Sequence, residues 1–93
     1  MKMKTLGLAI AGSLFISGQA LAGGLKNCTD AEQSAWKPQA EAMAAAKAAG
    51  YETRKMKVVG SCYEVYGIDK DGALFELFYN PATLELMKTV KKG

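Results

Sequence analysis

The sequence contains no histidine, and only two cysteines, two prolines and one tryptophan. Without histidine the chain lacks the commonest general base and the commonest ligand for zinc and haem. It also lacks the CxxC, CxxCH, HExxH and G-x-S-x-G elements and any glycine-rich phosphate loop. An excess of one charge is missing too. Twelve Lys and Arg stand against nine Asp and Glu, for a formal net charge of +3. Long apolar runs are equally scarce: the stretch 6–16 is shorter than the roughly 20 residues of a membrane helix, and no second one follows. With 93 residues in all, there is room for one small domain.

What is present begins with an export signal. Lys2 and Lys4 form a positive n-region, 6–16 an apolar core, and Ala20-Leu21-Ala22 a small-residue cleavage site. Residues 1–22 are therefore expected to be a signal peptide cut after Ala22, and a retained anchor is the weaker reading. Gly23 and Gly24 follow the cut, where a lipoprotein would need a cysteine. The short lysine-rich start suits bacterial export, and the expected location is the periplasm. Loss of Lys2 and Lys4 lowers the net charge by two. The remainder lacks the clustered basic charge that nucleic acid or an anionic membrane surface requires.

Cys28 and Cys62 both lie in the mature part. An even cysteine count in a small exported domain favours a disulfide, and no histidine is available to activate a free thiol. Closing that loop stabilises by about 3–4 kcal/mol in the chain-entropy model. This matters for a domain too small to bury most of its surface.

Thr29-Asp30-Ala31-Glu32 has the form of a capping box leading into a short helical turn through Ala35 and Trp36. Pro38 suits the first position of a helix over 38–49, rich in Ala, Glu, Lys and Met and closed by Gly50 at C′. Its apolar stripe is expected at Ala42, Met43, Ala46 and Ala49. Strands are expected at 52–59, 62–69 and 73–79, with a short fourth at 84–87. Asp69-Lys70-Asp71-Gly72 supplies hairpin-turn chemistry and lacks the further oxygen ligands of a calcium loop. Taking Glu64 and Glu76 as solvated, outward carboxylates puts Met56, Val58, Tyr63, Val65, Gly67, Phe75, Leu77 and Tyr79 on the inner face. The fold class is α+β: one main helix packed on a three- to four-stranded antiparallel sheet, with the N-terminal segment tied by a disulfide. The chain divides into a signal peptide (1–22), a lead with a short helical turn (23–37), an α+β domain (38–88) and a flexible tail (89–93).

Trp36 reads as a helix-flanking core residue in preference to a ligand platform. The run Arg54-Lys55-Met56-Lys57 reads as a solvated edge strand whose lysines discourage edge pairing, not as a nucleic-acid contact. The outward face carries Tyr66, Ile68, Leu74 and Phe78, a large apolar surface with no second helix to cover it. Either the N-terminal segment or the C-terminal tail folds over it, or it is a surface for a partner.

Gly50-Tyr51, Cys62-Tyr63-Glu64-Val65-Tyr66, Asp69-Lys70-Asp71-Gly72 and Phe78-Tyr79-Asn80-Pro81-Ala82-Thr83, in that order, resemble the small exported PepSY-like domain proteins. The likeness covers nearly the whole mature chain. It departs at Asn80, where that family tends to have Asp, and at Leu84, where it has Gly before Glu85. The resemblance implies a helix on an antiparallel sheet, a bridged cysteine pair and a non-catalytic exported module; related domains in protease propeptides restrain the peptidase. The expected function is contact with another envelope protein, such as a peptidase or a membrane redox or sensor partner, through the outer face or an open strand edge. No enzyme activity, cofactor, metal or nucleic-acid partner is expected. The alternative is a small-molecule or lipid carrier using the crevice between helix and sheet.

Overall fold

The computed structural model describes residues 24–93. The signal peptide and its cleavage site, expected at 1–22, lie outside the described residues. A 3₁₀ turn, Gln33–Ala35, precedes helix α1 (Gln39–Ala48) and strands β1 (Glu52–Val59), β2 (Cys62–Ile68), β3 (Leu74–Tyr79) and β4 (Leu86–Lys91). The strands form one antiparallel sheet in sequential order, β1-β2-β3-β4.

Each junction has a local cause. Pro38 stands at the N-cap with extended geometry, one place before its expected position, because its fixed φ suits the entry and it has no N–H to lose. Gly50 takes φ 103° at C′. Its N–H donates to the Lys47 carbonyl at 3.0 Å and that of Tyr51 to Ala46 at 3.1 Å, the paired bonds of a Schellman ending. Gly60, at φ 59°, turns β1 into β2. Asp69 Oδ1 accepts from the N–H groups of Asp71 and Ala73, both at 2.9 Å, and so closes the β2–β3 turn. Asn80 does the same before β4, its side-chain oxygen accepting from Ala82 at 2.8 Å and Thr83 at 3.3 Å. An amide oxygen accepts these bonds where the Asp of the PepSY-like proteins would use a carboxylate, so the turn forms with Asn80.

The inner face of the sheet carries the core. Ala42 and Ala46 of α1 meet Tyr63, Val65, Leu77 and Tyr79, with Trp36, Ala45, Tyr51, Met56, Phe75 and Leu84 packed around them. Alanines let the helix approach closely, and Gly67 leaves room for Tyr51, whose Cβ a Cβ at 67 would meet at 2.9 Å and whose ring it would meet at 3.2 Å. Trp36 stacks edge-on against Tyr63 with centroids 5.6 Å apart, and its Nε1–H donates to the Ala31 carbonyl at 3.1 Å. The Tyr63 hydroxyl donates to the Lys37 carbonyl at 2.6 Å, which pins the chain entering the helix. Trp36 is a core residue.

Four local expectations are corrected. The capping box does not form: Thr29 Oγ1 accepts from Ala31 N–H, and the 3₁₀ turn starts after Glu32 without a side-chain cap. Ala45 joins Ala42 and Ala46 in the helix stripe in place of Met43, which is not packed on the core, and of Ala49, which is exposed. Val58 has inward parity, opposite Tyr63, yet is 41% exposed. It lies near the hairpin end and is not among the residues packed on the core under α1, which reaches Met56. The tail expected to be flexible over 89–93 is instead mostly strand β4, and its pairing continues as Lys92 N–H donates to Leu74 at 2.7 Å and Leu74 N–H to Gly93 at 3.2 Å. Lysines at 88 and 91 hide a strand whose only partner among the described residues is β3.

Candidate functional site

The outer face of the sheet is built from alternate residues of all four strands. One row runs Lys57, Glu64, Phe78, Lys88 and the next Lys55, Tyr66, Glu76, Val90, with Ile68 opposite Leu74 beyond them. A strap formed by residues 24–30 crosses the hairpin end of this face. The disulfide Cys28–Cys62 ties it down. Ser61 Oγ accepts from the N–H of Cys28 at 2.8 Å and of Thr29 at 3.2 Å, and Ser61 N–H donates to the Lys26 carbonyl at 2.9 Å. Leu25, Cys28, Cys62 and Val90 pack on Phe78, and a Cβ at Gly24 would touch its ring at 3.8 Å.

The strap splits the four residues expected to form an open patch. Phe78 is 1% exposed and belongs to a second small core, so at this end the expected cover by the N-terminal segment is the alternative that holds, and Phe78 is removed from the candidate partner surface. Its outward parity was right; the cover came from the segment that the disulfide positions. Tyr66 and Ile68 are half-buried and Leu74 is 37% exposed, so the patch that remains open lies at the opposite end.

The two carboxylates are also less solvated than their parity suggested. Glu64 is 5% exposed, and the Glu76 side chain 14%. Burial, and then the nearby charge of Glu76, push the Glu64 carboxyl above its ordinary value, with Lys57 pulling the other way. Lys57 Nζ stands 3.8 Å from Glu64 Oε1, and Lys92 Nζ 3.7 Å from Glu76 Oε2. Hydrogen bonding and charge from Tyr66, with Glu64 after them, hold the Lys57 ammonium above its usual value. The same ring carries Lys55 Nζ at 4.9 Å and Lys57 Nζ at 5.8 Å from its centroid. This Lys55–Tyr66–Lys57 arrangement was not anticipated. Its signal was there: two lysines at i and i+2 share a strand face, opposite a strand rich in tyrosine.

This arrangement can make charged, aromatic and main-chain contacts with another molecule. Among the described residues, no group of three His, Cys, Asp or Glu could hold a metal ion, and no helix is long and apolar enough to cross a membrane. The helix–sheet crevice, the site of the expected carrier function, is solvent-excluded where Ala42, Ala46, Val65 and Leu77 meet. A shallow concavity of about 170 Å³ lies elsewhere, lined by Asn27, Cys28, Thr29 and Asp30 of the strap.

Residues 6–90 match the family model described as peptidase propeptide and YPEB domain. No curated protein and no solved structure matches the chain significantly.

Proposed function

The chain belongs to the PepSY family of peptidase propeptide and YPEB domains, and from that membership we propose that it is an exported, non-catalytic binding module that contacts and modulates another protein of the bacterial envelope. Domains of this family are generally propeptide-like or inhibitor-like. A peptidase is therefore the leading partner, ahead of a membrane redox or sensor protein. Export rests on the leader over 1–22, with the periplasm as the destination.

The observation that carries this reading is the open end of the outer sheet face, where Tyr66, Ile68 and Leu74 stand beyond the strap. An aromatic side chain such as Tyr66 supplies rigid contact area at little entropic cost, and the aliphatic neighbours add apolar area. Crosslinking the full chain in cells, followed by mass spectrometry, tests it. The wild type is expected to capture one envelope protein, and the Tyr66→Asp and Leu74→Asp variants to lose it while keeping their circular dichroism. Capture unchanged in both folded variants would overturn the site. An empty catch from abundant, folded wild type would overturn the contact function.

A further inference from the structure

Both edges of the sheet are basic. Strand β1 carries Arg54, Lys55 and Lys57, and the β4 edge Lys88, Lys91 and Lys92. These are six of the ten lysines and arginines in residues 24–93, whereas Glu52 is the one acid of nine on either edge strand. A net charge near zero hides this segregation. Every second residue of an edge strand turns its N–H and C=O outward, ready to pair with another chain. Two copies of this protein would bring like charges together, so self-pairing is opposed.

The β1 edge has more than charge. Its outer-face residues are Lys55 and Lys57, and its inner-face residues are Met56 and Val58, so the strand alternates basic and apolar. Lys55 is exposed, the Lys57 side chain is 56% exposed, and Val58 is 41% exposed. On its paired side, the same strand already meets an acid flanked by apolar and aromatic residues: Glu64 lies opposite Lys57, Val65 opposite Met56 and Tyr66 opposite Lys55.

We propose that the free edge of β1 binds an extended peptide segment of alternating acidic and apolar residues, added to the sheet as a fifth strand. The inference rests on the binding-module reading and names its partner's chemistry. Main-chain hydrogen bonds supply the pairing. Acidic side chains approach the ammonium groups of Lys55 and Lys57 from the side that Tyr66 and Glu64 leave open, and apolar ones extend the inner face past Met56 and Val58. The bulge at Arg54, where the register shifts between Thr53 and Lys55, limits the straight pairing edge to the stretch 55–59.

The test uses a labelled seven-residue peptide alternating Glu and Val and the mature protein, with fluorescence anisotropy for affinity and amide chemical shifts for location. The alternating peptide is expected to bind, with the largest shifts in β1, and to weaken as salt rises. The Lys55→Gln, Lys57→Gln double variant should weaken it about tenfold. A Lys-Val alternation and a peptide of the same composition in two blocks should bind at least about tenfold more weakly than the alternating one. Absence of binding, shifts confined to β4, or equal binding of the block peptide would overturn the proposal. Retained cellular capture by the lysine variant, with loss in Leu74→Asp, would separate failure of this edge from failure of the binding module.

Discussion

Glu64 and Phe78 sit directly opposite each other on β2 and β3, both facing outward, and both are buried. That pairing places a carboxylate beside the small core beneath the strap. The carboxyl's tendency to hold its proton follows from burial there and from Glu76 nearby. The upward shift survives the attraction of Lys57, so the charged form is net unfavourable in this fold.

The sign of the pH dependence follows. The native state holds the Glu64 proton more tightly than the unfolded state, whose value is near 4.5. Stability from this group is fully present below that value and is lost as pH rises through the higher folded value. Glu64→Gln should therefore match or exceed the wild type at pH 7 and show no gain near pH 4. Urea unfolding of both proteins across that range checks it. A variant less stable at pH 7 would mean that the Lys57 pair outweighs burial.

The strap's anchorage gives a second outcome. Replacing both Cys28 and Cys62 with serine should lower stability by about 3–4 kcal/mol, because the bridge closes a loop of separation 34. The strap also loses its covalent hold over Phe78. Protection of the Cys28 and Thr29 amides, which donate to Ser61 Oγ, should fall before that of the β2 and β3 amides. Hydrogen exchange distinguishes a loosened strap from uniform destabilisation, in which all these amides would change together.

Much of this was legible from spacing alone. Alternation placed Tyr63, Val65, Leu77 and Tyr79 inward, and Gly50 and Gly72 marked turns, because these signals depend on neighbouring residues in the chain. The cover over Phe78 was legible only as one of several alternatives, and the burial of Glu64 was not legible. Both depend on where residues 24–30 run, and that path is set by Ser61, Cys62 and the absence of a side chain at Gly60, whose Cβ would collide with the Lys26 carbonyl. β4 runs further than its sequence suggests, because its lysines resemble a solvated tail. The open patch was half found, since parity gives a side chain's direction but not what lies above it.

The hydroxyl of Tyr63 ties the sheet to the entry of the helix through the Lys37 carbonyl. Tyr63→Phe keeps the ring against Trp36 and removes only that bond. The expected cost is about 1 kcal/mol, the usual net value of one hydrogen bond. Trp36 fluorescence should change little, because the edge-on contact survives. A loss above about 3 kcal/mol would instead indicate that ring packing had been disturbed.

Leu84 shows what a departure from the family pattern costs. It holds φ 65°, the one non-glycine residue with positive φ among those described, at the position where the resemblance sets a glycine. The geometry is imposed from both sides: Leu84 N–H donates to the Asn80 carbonyl at 2.6 Å, and Asn80 N–H to Glu85 at 2.8 Å. A side chain in this region costs about 1–2 kcal/mol. Packing of the half-buried Leu84 against the inner core offsets part of that. Leu84→Ala keeps the strain and loses the packing, whereas Leu84→Gly loses the packing and relieves the strain. Glycine should therefore be more stable than alanine here by about 1 kcal/mol, reversing their usual order within strands and helices. Thermal and urea unfolding of the two variants side by side decide it. Alanine equal to or better than glycine would show that the turn relaxes away from the left-handed conformation once the leucine is removed.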